Sequence, residues 1–135
     1  MFTCDILIKN ARVLMPDMSV AENRTIAIKD SRIIGIAEGD GDYEAGTVID
    51  DSGLLWMPGL TDGHLHTSQQ FLKGSLLDEK PVIWKRINVP FEASLTEETM
   101  ALSARLAAAE MIKNGTTSFV DAGGPHIEAA AEEYI

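Results

Sequence analysis

The stretch MPGLTDGHLHTSQQ, Met57 to Gln70, carries two of the chain's three histidines, His64 and His66. On an extended backbone that spacing turns both side chains to one face, with Leu65 on the other. Two imidazoles a strand period apart can both reach one divalent ion at about 2.0–2.1 Å. Asp62 falls on the same face, and Gly59 and Gly63 allow the backbone to pack closely nearby. A bare His-x-His more often marks two surface or core-edge histidines. Here the pair follows PGLTDG at a strand start, directly after a β-rich segment, and that context favours metal ligation.

The elements that must hold this pair can be read outward from it. Residues 1–57 read as short strands. DILIKNARVL alternates with a break at Asn10, and TIAIKDSRIIGIAE reads as a hairpin turning at Asp30-Ser31. TVIDDSG and LLWMPG are two further strand candidates. Four or five such strands make a sandwich-type or barrel-type segment with unpaired edges and a half-covered apolar face. Pro58-Gly59 marks a boundary, after which the pattern changes to strand and helix. LTDGHLH is a short strand, Gln69 to Leu77 a helical turn or two, and Asp78 to Glu92 an irregular stretch with Pro81 and Pro90. A long helix is expected over Glu97–Lys113, with Leu102, Leu106, Ala109 and Ile112 as its buried face. Thr96 could cap it, although Ser94 with Glu97 would make a better capping box. Lys113, Asn114 and Gly115 supply the stop. TTSFVD is then a strand, and GGP opens a helix over His126–Tyr134. Strand, helix, strand, helix begins a parallel α/β architecture.

The bulk properties narrow the function classes. The 135 residues are 45% hydrophobic, enough for one modest core. The net charge of −10, from 21 acidic and 11 basic residues, argues against a nucleic-acid partner. No apolar run approaches the ~20 residues of a membrane span, and the first residues do not read as a signal peptide. Cys4 is the only cysteine, which excludes an internal disulfide and a cysteine-based zinc cluster. A cytoplasmic location is the expectation. The acidic stretch Glu38 to Glu44 reads as a solvated surface.

MPGLTDGHLH resembles the signature of the amidohydrolase superfamily, a Pro-Gly-x-x-(Asn/Asp)-x-His-x-His run that opens a metal-dependent (β/α)8 barrel. HTSQQFLKG, IWKRINVPFEASLTEETM and EMIKNGTTSFVD resemble, in order, later segments of its adenosine-type deaminase and chlorohydrolase branch. Lys73-Gly74 stands where relatives often carry Arg-Gly. The resemblance implies an α/β fold: the first two βα units of an incomplete TIM barrel (58–135), preceded by half of a small β-sandwich (1–57). It makes His64 and His66 metal ligands for a divalent ion, zinc ahead of iron. Glu92 matches a carboxylate that accepts hydrogen bonds from substrate ribose hydroxyls, against the plainer reading of a solvated loop acid. Gln69 falls at a polar pocket position, against the reading of a helix-surface amide. Trp84 is expected to pack against the long helix rather than wall the pocket, Asp121 to be structural, and His126 to lie at the surface.

A complete barrel needs about 250 residues, and a catalytic zinc keeps three protein ligands and an open position. The chain therefore reads as the N-terminal part of a longer hydrolase, with no catalytic residue of its own and no activity alone. The implied reaction is hydrolytic deamination of a purine nucleoside-type or related aminated heterocycle by metal-activated water. The alternatives are a triazine chlorohydrolase or guanine-type deaminase of the same superfamily, or a non-catalytic β-rich interaction module with an incidental His-x-His. Open sheet edges also point to assembly with a second copy as a homo-oligomer.

Overall fold

The structure, a computed structural model, describes residues 1–75 and 80–135. The expected helix end at Leu77 and the start of the irregular stretch at Asp78 lie outside the described residues. The chain divides into two compact units, Met1–Pro58 and Gly59–Ile135.

The first unit is one five-stranded mixed sheet. β1 (Phe2–Leu14) pairs antiparallel with β2 (Val20–Lys29), which pairs antiparallel with β3 (Arg32–Glu38). On its other side β1 pairs in parallel with β4 (Tyr43–Asp50) along its first half. β5 (Leu55–Trp56) then takes over at Arg12 and Val13. The break expected at Asn10 does not end the strand. Asn10 takes φ 58° and shifts the β1–β2 register between Ile8 and Ala11, so β1 continues for 13 residues. Such a bulge bends a strand without ending it. The hairpin turns where expected, with Asp30 and Ser31 both at positive φ (49° and 59°). Two left-handed central residues define the type I′ turn that matches strand twist. Asp5 Oδ2 accepts the Asp30 N–H at 2.8 Å and ties that turn to β1. Ile8, Ala11, Val13 and Ile26 form one buried cluster, while Cys4, Leu7 and Ala27 form another. The apolar face stays half-covered, since Ile33, Ile34 and Ile36 on β3 are all exposed.

The second unit opens with β6 (Leu60–Leu65), followed by a 3-10 helix over Thr67–Leu72. The stretch expected to be irregular is helical from Trp84 on. A π-helix, Trp84–Asn88, runs directly into α1, Val89–Glu92. Pro90 sits in the first turn of α1, directly after the π-helix. Trp84 is 63% exposed, so it does not pack on the long helix as expected.

That helix, α2, spans Glu97–Lys113 as its pattern predicts. Its cap differs from the Ser94–Glu97 box. The Thr96 hydroxyl accepts from the Thr99 N–H (3.3 Å), and Thr99 Oγ1 accepts from the Thr96 N–H (2.8 Å). A threonine at the third position reciprocates at shorter reach than a glutamate would. Glu97 and Glu98 in the first turn and Lys113 in the last suit the helix dipole. Gly115, at φ +79°, ends the element.

The buried face of α2 is also not the expected one. Leu102, Leu106 and Ile112 are exposed, and Met100, Ser103, Ala104 and Ala107 are buried instead. Small side chains let α2 approach the 3-10 helix closely, and the buried Ser103 hydroxyl donates to the Thr67 carbonyl at 2.6 Å. β7 (Thr116–Asp121), α3 (Ile127–Ala131) and a final 3-10 turn (Glu132–Tyr134) complete the unit. Leu95, Met100, Ala104 and Ala130 form its core, flanked by Phe91, Ile127 and Tyr134. Burial holds the Tyr134 phenol above its usual value, and its hydroxyl donates to the Ala104 carbonyl at 3.3 Å.

Candidate metal centre

β6 and β7 pair in parallel, and their register slips twice. Leu60 faces Thr116 but Thr61 faces Ser118, and Asp62 faces Phe119 but Leu65 faces Asp121. The first slip gives β7 an extra residue at Thr117. Its side chain sits against Gly59 where any Cβ would collide, so a glycine is required there. The second gives β6 an extra residue at Gly63–His64. No atom of the described residues would meet a Cβ on Gly63, so close packing does not account for that glycine. A bulge beside a strand end re-aims the side chains around it, and this one adjoins the first histidine.

Both histidine backbones are held locally. Asp62 Oδ1 accepts the His64 N–H at 3.0 Å. His66 leaves the strand still extended (φ −120°, ψ 95°) and starts the 3-10 helix. Its carbonyl accepts from Gln70 Nε2 at 2.9 Å and from the Gln69 N–H at 3.2 Å. Leu65, between the two, accepts the Ala122 N–H at 2.8 Å from the end of β7.

The imidazoles meet edge to face, with ring centroids 4.9 Å apart and planes at 72°. Their Nε2 atoms are 3.1 Å apart. Two ligands at 2.0–2.1 Å on a tetrahedral ion lie about 3.3 Å from each other, so the pair is spaced to share one. Neutral imidazole nitrogens suit zinc and other borderline divalent metals. Among the described residues no set of three His, Cys, Asp or Glu side chains converges to hold a metal. The pair fits as two ligands of a larger set.

Asp121, at the end of β7, accepts a hydrogen bond from the Thr67 hydroxyl and, through Oδ1, the Gly123 N–H at 3.0 Å. These bonds tie the strand end to the turn after His66, a structural task. His126 lies exposed at φ 52° before α3, with Nε2 3.1 Å from the Leu95 carbonyl oxygen. Lys73 forms an ion pair with Glu110 on α2.

Beyond His66 the 3-10 helix meets α1. Asn88 and Glu92 are four residues apart on one helical face, across the junction of the π-helix and α1. Ser68 Oγ donates to Glu92 Oε1 at 2.7 Å, and Gln69 Nε2 donates to the same oxygen at 2.9 Å. Asn88 Nδ2 donates to Gln69 Oε1 at 3.0 Å. Glu92 and Gln69, expected to face substrate, are thus in direct contact. Ser68 and Asn88 were absent from the sequence-based set. Their one signal is position: a small polar residue two after His66, and an amide one helical turn before Glu92.

Three comparisons place these features among known proteins. A family profile described as "Amidohydrolase family" matches residues 55–135. A 5'-deoxyadenosine deaminase of Methanosarcina acetivorans is 41% identical over 120 residues, covering 87% of this chain and 28% of that protein. A 5-methylthioadenosine/S-adenosylhomocysteine deaminase of Nitratidesulfovibrio vulgaris is 38% identical over 125 residues, with the same coverage of 87% and 28%. The chain thus spans little more than a quarter of the length of these relatives. Among solved structures, an adenosine deaminase from Xanthomonas campestris with bound Zn superimposes with a TM-score of 0.86. It is 24% identical and is matched over 98% of this chain and 32% of its own. At that identity the likeness is one of fold.

Proposed function

Because the chain belongs to the amidohydrolase family, we propose that it supplies the first two metal ligands and a sugar-facing carboxylate to a metal-dependent hydrolase. In this reading Met1–Pro58 is the N-terminal part of a β-sandwich, and Gly59–Ile135 holds the first βα units of a TIM barrel. The reaction is hydrolytic removal of the amino group from an adenosine derivative. The names of the relatives, deaminases of 5'-deoxyadenosine and of methylthioadenosine or S-adenosylhomocysteine, support that substrate class.

The observation that carries the reading is the 3.1 Å approach of His64 Nε2 to His66 Nε2. A divalent ion, zinc by the donor set, supplies Lewis acidity and an activated water near neutral pH. His64 and His66 hold it, and the hydrogen bonds from the His64 N–H to Asp62 and from Gln70 to the His66 carbonyl fix the backbone that presents them. Among the described residues no third ligand converges with the pair, so the two histidines serve as part of a larger ligand set. Glu92 orients substrate, with Oε2 accepting from ribose hydroxyls while Oε1 is occupied by Ser68 and Gln69.

Zinc titration of the chain, compared with the His64→Ala/His66→Ala double variant, tests the ligand assignment. Saturable binding lost in the double variant is expected, and binding that survives overturns the assignment. Ammonia release from 5'-deoxyadenosine, methylthioadenosine and S-adenosylhomocysteine by the intact protein tests the reaction. No release from any of the three overturns the deaminase reading.

A further inference from the structure

We infer that Ser68, Gln69 and Asn88 are positioning residues that clamp one oxygen of Glu92 and reserve the other for a substrate diol. The inference rests on the reading of Glu92 given above and adds how its carboxylate is aimed.

The argument starts from counting lone pairs. A carboxylate oxygen accepts about two hydrogen bonds in good geometry. Ser68 Oγ at 2.7 Å and Gln69 Nε2 at 2.9 Å both converge on Oε1, so that oxygen is filled. Oε2 receives no hydrogen bond from the described residues. A diol cannot then straddle the two oxygens and must be met by Oε2 alone.

The clamp has a fixed polarity. Gln69 can donate to Glu92 only if its amide nitrogen faces the carboxylate, which puts its oxygen on the opposite side. Asn88 Nδ2 occupies that side and donates to the oxygen at 3.0 Å. Were the Gln69 amide reversed, its oxygen would face the carboxylate and its nitrogen the Asn88 donor, two mismatches at once. The acceptor-only Glu92 carboxylate and the Asn88 donor together fix the orientation of Gln69, and Gln69 with Ser68 holds that of Glu92.

The elements are built to hold this arrangement. Ser68 is fully buried, and the preceding residue, Thr67, is fixed from two sides by Ser103 and Asp121. Asn88 closes the π-helix, a rare element often found at functional sites. Asn88 Oδ1 is buried with no partner among the described residues, so the side chain is held by its one donated bond and by packing. One N–H and the oxygen of Gln69 are engaged, by Glu92 and Asn88, which gives the side chain the role of holding Glu92.

The test pairs a substrate deletion with protein deletions. The intact protein is assayed on an adenosine-type nucleoside and on its 2',3'-dideoxy counterpart. Glu92→Gln, Ser68→Ala and Asn88→Ala are each compared with the parent. Ser68→Ala and Asn88→Ala are expected to lose about tenfold in kcat/KM on the diol substrate, mainly through KM, and under about twofold on the dideoxy substrate. Equal losses on both substrates mean a merely structural role and overturn the inference. If Glu92→Gln loses the same factor on both substrates, the reading of Glu92 falls instead. A second readout needs no turnover. The Gln69 side-chain amide protons should exchange slowly with solvent by NMR and become fast in Asn88→Ala, while those of Asn114 stay unchanged. Fast Gln69 exchange in the parent overturns the clamp.

Discussion

In Met1–Pro58 the buried side chains are mainly aliphatic, with Ile8, Val13, Ile26 and Leu7 carrying most of the volume. In Gly59–Ile135 they are Met100, three alanines and Leu95, joined by Thr67, Ser68, Gln70 and Ser103. The second unit leaves bulky residues such as Leu60, Leu102, Ile112 and Val120 outside. Burying an Ile or Leu is worth about 1.5–3 kcal/mol, so the sheet is held by area. Alanine and serine bring little area, and elements that meet through them depend on closeness of approach and on hydrogen bonds such as Ser103 to Thr67. The polar interior lies around the turn that follows His66 and touches Glu92. Area makes the scaffold, and directed polar contacts make the site.

The largest effect that could break this contrast is in the sheet. Ile8→Ala should cost about 2–5 kcal/mol in a urea melt, since Ile8 is 1% exposed at the centre of its cluster. A loss below about 1 kcal/mol would mean the aliphatic interior carries less than its burial suggests. Ser103→Ala sharpens the other side. It strands the Thr67 carbonyl and should cost about 1–2 kcal/mol, with faster amide exchange across Thr67–Leu72. If exchange there stays unchanged, the serine is merely a space-filler.

The smallest effect belongs to the surface pair of Arg105 and Glu133. Arg105 Nε and Nη2 donate to the two Glu133 oxygens at 2.5 and 2.8 Å. The hydrogen bond from Arg105 holds the Glu133 carboxyl below the usual glutamate value, and the same bond raises Arg105. A lowered acid stabilises the fold above its unfolded pKa and loses that contribution as pH falls through the folded one. Glu133→Gln should therefore differ slightly from the parent at pH 7, and the difference should vanish as pH falls through the lowered pKa of Glu133. A difference that persists in acid would point to lost packing.

Features that depend on near neighbours were legible in the sequence. The Asp30-Ser31 hairpin, the bounds of α2 and its glycine stop all follow from residues within a few positions. The His-x-His pair belongs with them, because its two residues stand two apart on one short stretch, although the register slip beside His64 was not foreseen. What depended on distant partners was not legible. The buried face of α2 was misassigned because hydrophobic periodicity ranks leucine above alanine, whereas the partner here is a tight turn that only small residues can approach. The π-helix, at five residues, is too short for a side-chain period to betray it. Ser68 and Glu92 are 24 residues apart, and nothing local to either announces the other.

The hairpin turn between β2 and β3 carries a consequence for engineering. Its two central positions are left-handed but occupied by Asp30 and Ser31, where an Asn-Gly pair would sit with less strain. Evolution has left slack at a turn that is tied within its own unit by the Asp30 N–H to Asp5. Ser31 is thus a dial on which the lifetime of the sheet can be lengthened or shortened.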